Sequence, residues 1–408
     1  MIPWSSFGVS ERVMRLLFLT ARLPYPPNRG DRLRAYNFLR VLAREHEITL
    51  LSFISDSRET GNVGPLRAFC EDIQLIHRGQ WPATATTGLN AWRPLPLQSL
   101  YYRSPVMQSA VDRLISRRRF DAAYVHLFRM AQFVAQQRAL YRVLDLTDAI
   151  SSEIERSLPY RDRKWRLVYG QELPRIRRYE REIVRHFDET WLISEAERQH
   201  LLGNGVDDRL IVVPNGVDSE RYRPSGRAND APALIFVGHM GVFHNIDAAD
   251  YLARDLLPGI RAAIPAARLA LVGAEPAAQV TALGSLPGVR VLGHVADLNA
   301  ALNEAAVFVA PLRFAAGIQN KVLEAMAAGL PVVTTSYVNN GLQAEAGRHL
   351  LIADEPEQFV AAVIALLNDR AYRRRLGHAG REFVLSHYRW EEVAERMNGI
   401  EQKIARRG

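Results

Sequence analysis

Short apolar runs alternate with amphipathic stretches along nearly the whole chain, and this alternation limits the fold more than any other feature. In the first half the runs are Arg15–Thr20, Ile48–Phe53, Ile73–His77, Ala122–His126, Arg142–Asp145 and Thr190–Ile193. In the second half they are Ala233–Val237, Arg268–Val272, Val289–Leu292, Val307–Ala310, Val332–Thr335 and His349–Ile352. Strands buried on both faces read as continuous apolar runs, and the helices between them make the crossovers of a parallel sheet. Helical stretches are clearest at Asp31–Arg44 and Gln171–Phe187. The expectation is an α/β chain of two doubly wound, Rossmann-like parallel-sheet domains. A chain of 408 residues has room for two cores.

The seam is Val-Val-Pro-Asn-Gly-Val-Asp, residues 212–218, followed by Arg-Pro-Ser-Gly-Arg-Ala-Asn-Asp. Pro, Gly, Asn and Asp together mark a turn-rich linker. The expected division is a domain over 1–212, a linker over 213–229, a domain over 230–385 and a closing helix over 386–408. Residues 1–13 show no strand or helix pattern and read as a flexible extension of that first domain.

Charge is unevenly placed. Residues 1–225 hold 34 Lys and Arg against 26 Asp and Glu, whereas residues 226–408 hold 18 of each. The basic half suits an anionic lipid surface or a phosphorylated acceptor. Plain solubility is the equal rival. The tract from Arg161 to Tyr169, with Arg175, Arg177 and Arg178 beyond, could lie on a membrane. Nucleic acid is not expected, because no helix-turn-helix, zinc-finger or RNA-binding aromatic motif appears. No apolar run is long enough to span a bilayer as a helix. A secretory signal is also absent from the N-terminal residues, and the single Cys70 argues for a reducing compartment. The expected location is the cytoplasm, in part at the inner face of the membrane. No cluster has metal-ligand spacing, and no resident cofactor is expected.

The densest chemistry lies at 310–335. An apolar strand leads into a loop with Gly317, a helix carrying Lys321 and Glu324, a Gly329-Leu330-Pro331 stop and a second strand. A loop feeding a helix start presents free N–H groups and the positive end of a dipole to an anion. A carboxylate one turn further on can accept hydrogen bonds from a sugar diol. Phosphate beside ribose suggests a nucleotide. An exposed ion pair between Lys321 and Glu324 is the competing structural account.

This segment resembles the nucleotide-sugar signature of retaining glycosyltransferase family 4, whose members have the GT-B fold with two domains facing a cleft. Further segments match in order: Phe18 to Arg34 (with Pro-Tyr-Pro-Pro-Asn-Arg-Gly-Asp), Asp121 to His126, Ile193 to Glu197, Pro214 to Asp218, Phe236 to Met240 and Gly293 to Leu298. The resemblance covers nearly all of the chain from residue 14. Within the family, the sequence is similar to sugar transferases associated with PEP-CTERM/exosortase systems and bacterial exopolysaccharide clusters. The resemblance implies transfer of a hexose-type sugar, with retained anomeric configuration, from a UDP- or GDP-linked donor to a lipid-linked or polysaccharide acceptor.

It also implies roles for residues. Asn28 and Gly30 face the donor, with Arg29 towards an acceptor; Arg32 and Arg34 on the following helix could reach an anionic acceptor, with a solvated helix face the equal rival. His126 ends a strand, where ligands gather in open sheets, and would touch the transferred sugar. Asp145 and Asp148 follow the next strand and could meet acceptor hydroxyls, with helix capping the rival role for Asp148. Gly317, Ile318, Gln319, Asn320 and Lys321 would hold phosphate or sugar, and Glu324 the ribose. His126, Gly30 and Glu324 form the expected catalytic set.

Two departures stand out. The family's first Glu of its paired-Glu motif is Ala316 here, so the donor sugar cannot be inferred by analogy. The Arg and Lys usually found after the first strand of the second domain are His239 and His244, with Asn245 alongside. These histidines either donate to phosphate with a pH-dependent charge, or are loop residues while Lys321 or Arg313 supplies the charge. The departures keep two other readings open: a non-catalytic nucleotide-sugar sensor or scaffold, and a sugar-nucleotide epimerase. A dehydrogenase is not expected, since the first strand leads into Pro-Tyr-Pro-Pro rather than a Gly-x-Gly-x-x-Gly turn.

Overall fold

A computed structural model describes residues 13–79, 83–84, 87–89, 92–203, 205–226, 231–314, 317–395 and 403–404. The expected extension over 1–13 lies almost wholly outside these residues, as does most of the tail beyond Glu395.

Two parallel sheets form. The first holds β1 (Arg15–Thr20), β2 (Glu47–Ile54), β3 (Asp72–His77), β4 (Ala122–His126), β5 (Tyr141–Thr147), β6 (Glu189–Leu192) and β7 (Leu210–Val212), in the order β3-β2-β1-β4-β5-β6-β7. The second holds β8 (Ala233–Val237), β9 (Arg268–Val272), β10 (Val289–Gly293), β11 (Val307–Ala310), β12 (Val332–Thr334) and β13 (Leu351–Ile352), in the order β10-β9-β8-β11-β12-β13. Each order reverses once, between β1 and β4 and between β8 and β11. Such reversals open a crevice at the carboxyl ends of the strands, where ligands bind. The loop after β1 leads into a helix at Gly30, β4 ends at His126, and the loops after β8 and β11 carry His239 and Gly317. The topology therefore gathers the expected site before any side chain is considered.

The helices that matter are α1 (Gly30–Leu42), α2 (Arg163–Ile183), α3 (Phe243–Tyr251), α4 (Asn320–Ala327), α5 (Arg370–His387) and α6 (Trp390–Glu395). The exit of α4 explains its sequence. Gly329 adopts φ +80°, its N–H reaches Met326 O, and Leu330 N–H reaches Ala325 O. These two bonds satisfy carbonyls that a helix end leaves open, and Pro331 prevents continuation.

α6 packs on the first domain: Trp390 meets Phe38 edge-on, with ring centroids 6.0 Å apart. The same ring fills the space beside Gly216, where a Cβ would come within 2.5 Å of it. Val217 N–H donates to Tyr388 O at 2.6 Å, which ties the seam to this returning segment. Cys70 is buried, and burial pushes its thiol up to about 12, so it is a packed apolar group.

Two elements differ from expectation. β7 directly precedes the polar seam, and its three residues are too few to show a pattern. α2 starts at Arg163, where its exposed basic first turns give no apolar period.

Candidate active site

On the first domain's side, β4 and β5 present a buried network. His126 is 2% exposed, and Asp145 and Arg34 are fully buried. The Arg34 guanidinium donates to Asp145 at 2.7 and 3.0 Å and to Asn215 Oδ1 at 2.9 Å. Tyr124 donates its hydroxyl proton to Asp145. His126 Nδ1 lies 3.1 Å from the same carboxylate. Burial alone would raise the Asp145 pKa, but Arg34 and His126 overcome it and hold the carboxyl well below its usual range. An ionised Asp145 accepts a hydrogen bond from His126 Nδ1–H, which leaves Nε2 of the ring as an acceptor. Nε2 is buried and has no partner within the protein. That is the state suited to receiving a sugar hydroxyl.

On the second domain's side, the Lys321 ammonium bonds to Asn245 Oδ1 and lies 5.1 Å from the Phe236 ring centroid. Asn245 is 3% exposed, and its amide donates to His239 O at 3.1 Å, so it links the β8 loop to α4. The Tyr222 hydroxyl hydrogen-bonds Glu324. Burial lowers Lys321 to about 7 and raises Glu324 to about 7. Both groups lack the solvation that would settle their charge, and a bound ligand would settle it. The exposed ion-pair account does not fit, since Lys321 is directed to Asn245 and Glu324 to Tyr222.

The two sides touch. Asn215 donates to Asn320 Oδ1 at 2.8 Å. Arg29 Nη2 lies 3.0 Å from His239 Nε2 and 3.6 Å from Glu275. Gly317, at φ +59°, backs onto Asp148 and Ile193.

Several expectations change. Asp145 does not meet an acceptor: its oxygens are used by Arg34, Tyr124, His126 and the Thr147 N–H. Arg34 is sealed in that network. Arg32 pairs with Glu59 at 3.2 Å, away from an acceptor. Arg313 is committed to Asp247 at 2.5 Å, so it is not the spare cation for a diphosphate. His244 does not carry a pH-dependent charge, because burial beside Lys321 lowers it to about 3 and keeps it neutral. Asp148 lies at the domain contact with its Oδ1 unpartnered, and burial together with Glu197 raises its pKa. Asn28 is exposed at the loop tip before α1. Ile318 is buried, and Gln319 is the residue from which α4 starts. Ala316 lies outside the described residues. Tyr222 and Tyr124 give no signal in the sequence, since one is a lone tyrosine in a polar linker and the other a lone tyrosine in an apolar strand.

A pH dependence follows. Below about 7, Glu324 takes up a proton and loses its capacity as a diol acceptor; above about 7, Lys321 loses the charge a diphosphate needs. Nucleoside-diphosphate affinity should peak near pH 7 and fall on both sides, by up to about tenfold per unit. Calorimetric titration across pH 5.5–8.5 checks this (roughly the range in which both groups titrate); a flat profile would sink it.

Two family models match in the order of the domains. Residues 32–216 match the glycosyl transferase 4-like domain, and residues 231–369 match glycosyl transferases group 1. The chain belongs to the GT-B glycosyltransferases. This glycosyltransferase is 29% identical over 221 residues to a phosphatidyl-myo-inositol mannosyltransferase of Mycobacterium leprae, covering 52% of this chain and 58% of that relative. It thus spans under two thirds of the length of that curated relative. Sucrose-phosphate synthase from Thermosynechococcus elongatus superposes with TM-score 0.75 at 15% identity, over 97% of this chain and 100% of that one. Anabaena HepE, solved with UDP and glucose, superposes with TM-score 0.64 at 15% identity, over 95% and 99%. At such identities these likenesses speak for the fold alone.

Proposed function

We propose that this glycosyltransferase moves a hexose-type sugar from a UDP- or GDP-linked donor to a lipid-linked or polysaccharide acceptor, retaining anomeric configuration, in bacterial exopolysaccharide synthesis. The observation that carries the reading is the pairing of two half-sites across one cleft. Lys321 and Glu324 present a cation and a carboxylate suited to diphosphate and ribose, and His126 Nε2 waits opposite without a partner.

In this reading the ribose diol donates to Glu324, and Lys321 with the N–H groups opening α4 takes the diphosphate. Those groups stabilise the charge that develops as the sugar–phosphate bond breaks. His126 Nε2 accepts from a sugar hydroxyl and fixes the ring. The acceptor oxygen attacks from the face the diphosphate leaves, and a phosphate oxygen takes its proton, so no dedicated base is needed. The carboxylate–histidine pair serves orientation.

The first turns of α2 favour a membrane-bound acceptor. Trp165 and Leu167 are 48% and 67% exposed beside exposed Arg163, Lys164 and Arg166. An apolar pair ringed by cations suits an anionic bilayer surface. No helix among the described residues is long and apolar enough to cross a membrane.

The test supplies UDP- and GDP-sugars to the protein with lipid-linked oligosaccharides in anionic vesicles, and the product linkage is read by NMR. An α-linked donor should give an α-linked product, with the protein released from vesicles by high salt. Inverted product would contradict retention; nucleotide binding without any transfer would favour the sensor reading; free epimer without acceptor would favour the epimerase.

A further inference from the structure

Three arginines not used above converge at the strand ends of the first sheet. Arg22 follows β1, Arg78 follows β3 directly, and Arg129 follows β4. They meet at Tyr102, which is 3% exposed. The guanidinium carbons of Arg78 and Arg129 lie 4.4 and 5.2 Å from its ring centroid. Its hydroxyl hydrogen-bonds Arg22. Stacking uses the face of a guanidinium and leaves the in-plane N–H groups free. Nε and Nη1 of Arg78 and Nε of Arg129 are buried without a hydrogen-bond partner.

The charges do not balance. Asp31, 3.2 Å from Arg22, is the ionised carboxylate that faces the group, and His126 and Arg129 also act on it. Glu153 faces Arg129 too, and burial raises its pKa. Half-buried like charges whose buried donors stay idle are costly unless something arrives to use them. Three guanidinium groups outnumber the two carboxylates Asp31 and Glu153, so the cluster keeps an excess of positive charge, which the negative charge of a phosphate group would offset. Arginine forks fit phosphate oxygens in geometry as well as charge. The place is the carboxyl end of the strands beside the switch point, on the side of the cleft opposite the donor helix.

We propose that Arg22, Arg78 and Arg129 form a phosphate subsite for the acceptor, which therefore carries a phosphate or diphosphate group. The proposal rests on the sugar-transfer reading and narrows its acceptor class. The phosphate could belong to a soluble sugar phosphate or to a lipid-linked diphosphate.

The test is thermal stabilisation and calorimetry with inorganic phosphate, a soluble hexose phosphate, glucuronate, and vesicles bearing a polyprenyl phosphate. The proteins are the wild type, Lys321→Ala, Arg78→Gln and Arg78→Gln/Arg129→Gln. Phosphate should bind the wild type and Lys321→Ala alike, and Arg78→Gln should weaken it at least about tenfold. Without phosphate, Arg78→Gln should melt no lower than the wild type, because a repelling half-buried charge has gone. Nucleotide binding should be the same in both. Stronger binding of the hexose phosphate identifies the soluble source, and phosphate-dependent vesicle capture identifies the lipid one. Phosphate binding that is unchanged in Arg78→Gln, or lost in Lys321→Ala, would overturn the subsite, as would glucuronate binding as tightly as phosphate. Nucleotide binding without phosphate binding would remove this subsite and leave the sugar-transfer reading standing; loss of both would remove both.

Discussion

Asp145→Asn should destabilise the protein by about 3–5 kcal/mol, the cost of leaving a buried cation unpaired. Arg34 is fully buried and has Asp145 as its counter-charge. Against a total stability of about 5–15 kcal/mol, that loss is severe. The same change frees the His126 ring, so any folded fraction should lose turnover as well. A double change separates the two effects. Asp145→Leu with Arg34→Met removes both charges, and apolar replacement of a buried pair is often neutral or better. Stability should return in the double variant while activity does not, since His126 still lacks its orienting carboxylate. Denaturant unfolding and initial rates read the two quantities; recovery of both would show that the network is structural only. The pH sign agrees with this account. The Asp145 pKa lies below that of the unfolded chain, so its stabilisation is complete above the ordinary carboxylate range and is lost only in strong acid.

Gly317→Ala should cost about 100-fold in turnover while leaving the fold intact, because misplacement of about 1 Å is worth that much. Gly317 has φ +59°, and an added Cβ would lie 1.9 Å from Asp148 Oδ1 and 2.6 Å from Ile193 Cγ2. The strained backbone alone costs about 1–2 kcal/mol. The clash matters more, for it falls between the domains and is relieved by moving them apart. Nucleotide binding, which uses groups of the second domain, should fall much less than turnover. Adding Asp148→Ala removes the nearer obstacle and should restore part of the rate. Equal loss of binding and turnover would place the effect within the donor loop instead.

Most strands were legible as continuous apolar runs: β1, β4, β8, β9 and β11 begin and end at the residues their apolar patterns mark. The loops at the two switch points were legible because each sets a glycine at or close to a helix start, as at Gly30 and Gly317. The partners of charged side chains were not. Nothing in the local pattern says that Arg34 reaches Asp145 and Asn215, residues far along the chain, rather than solvent or an acceptor. Arg22, Arg78 and Arg129 likewise come from three separate loops and share no motif. Helix period and apolar runs report burial of segments, whereas charge pairing depends on which loop ends the sheet order brings together. β7 and the exposed start of α2 were missed because neither buries enough to write a pattern.

The central claim is that α4 holds a nucleotide through Lys321 and Glu324. Calorimetric titration of the wild type and Glu324→Ala with UDP, GDP and their common sugars tests it most directly. Binding of one nucleotide, weakened at least about tenfold in Glu324→Ala through loss of hydrogen bonds to a carboxylate, is the predicted result. Equal affinity of the two proteins would contradict it, and so would the failure of every nucleotide to bind the wild type.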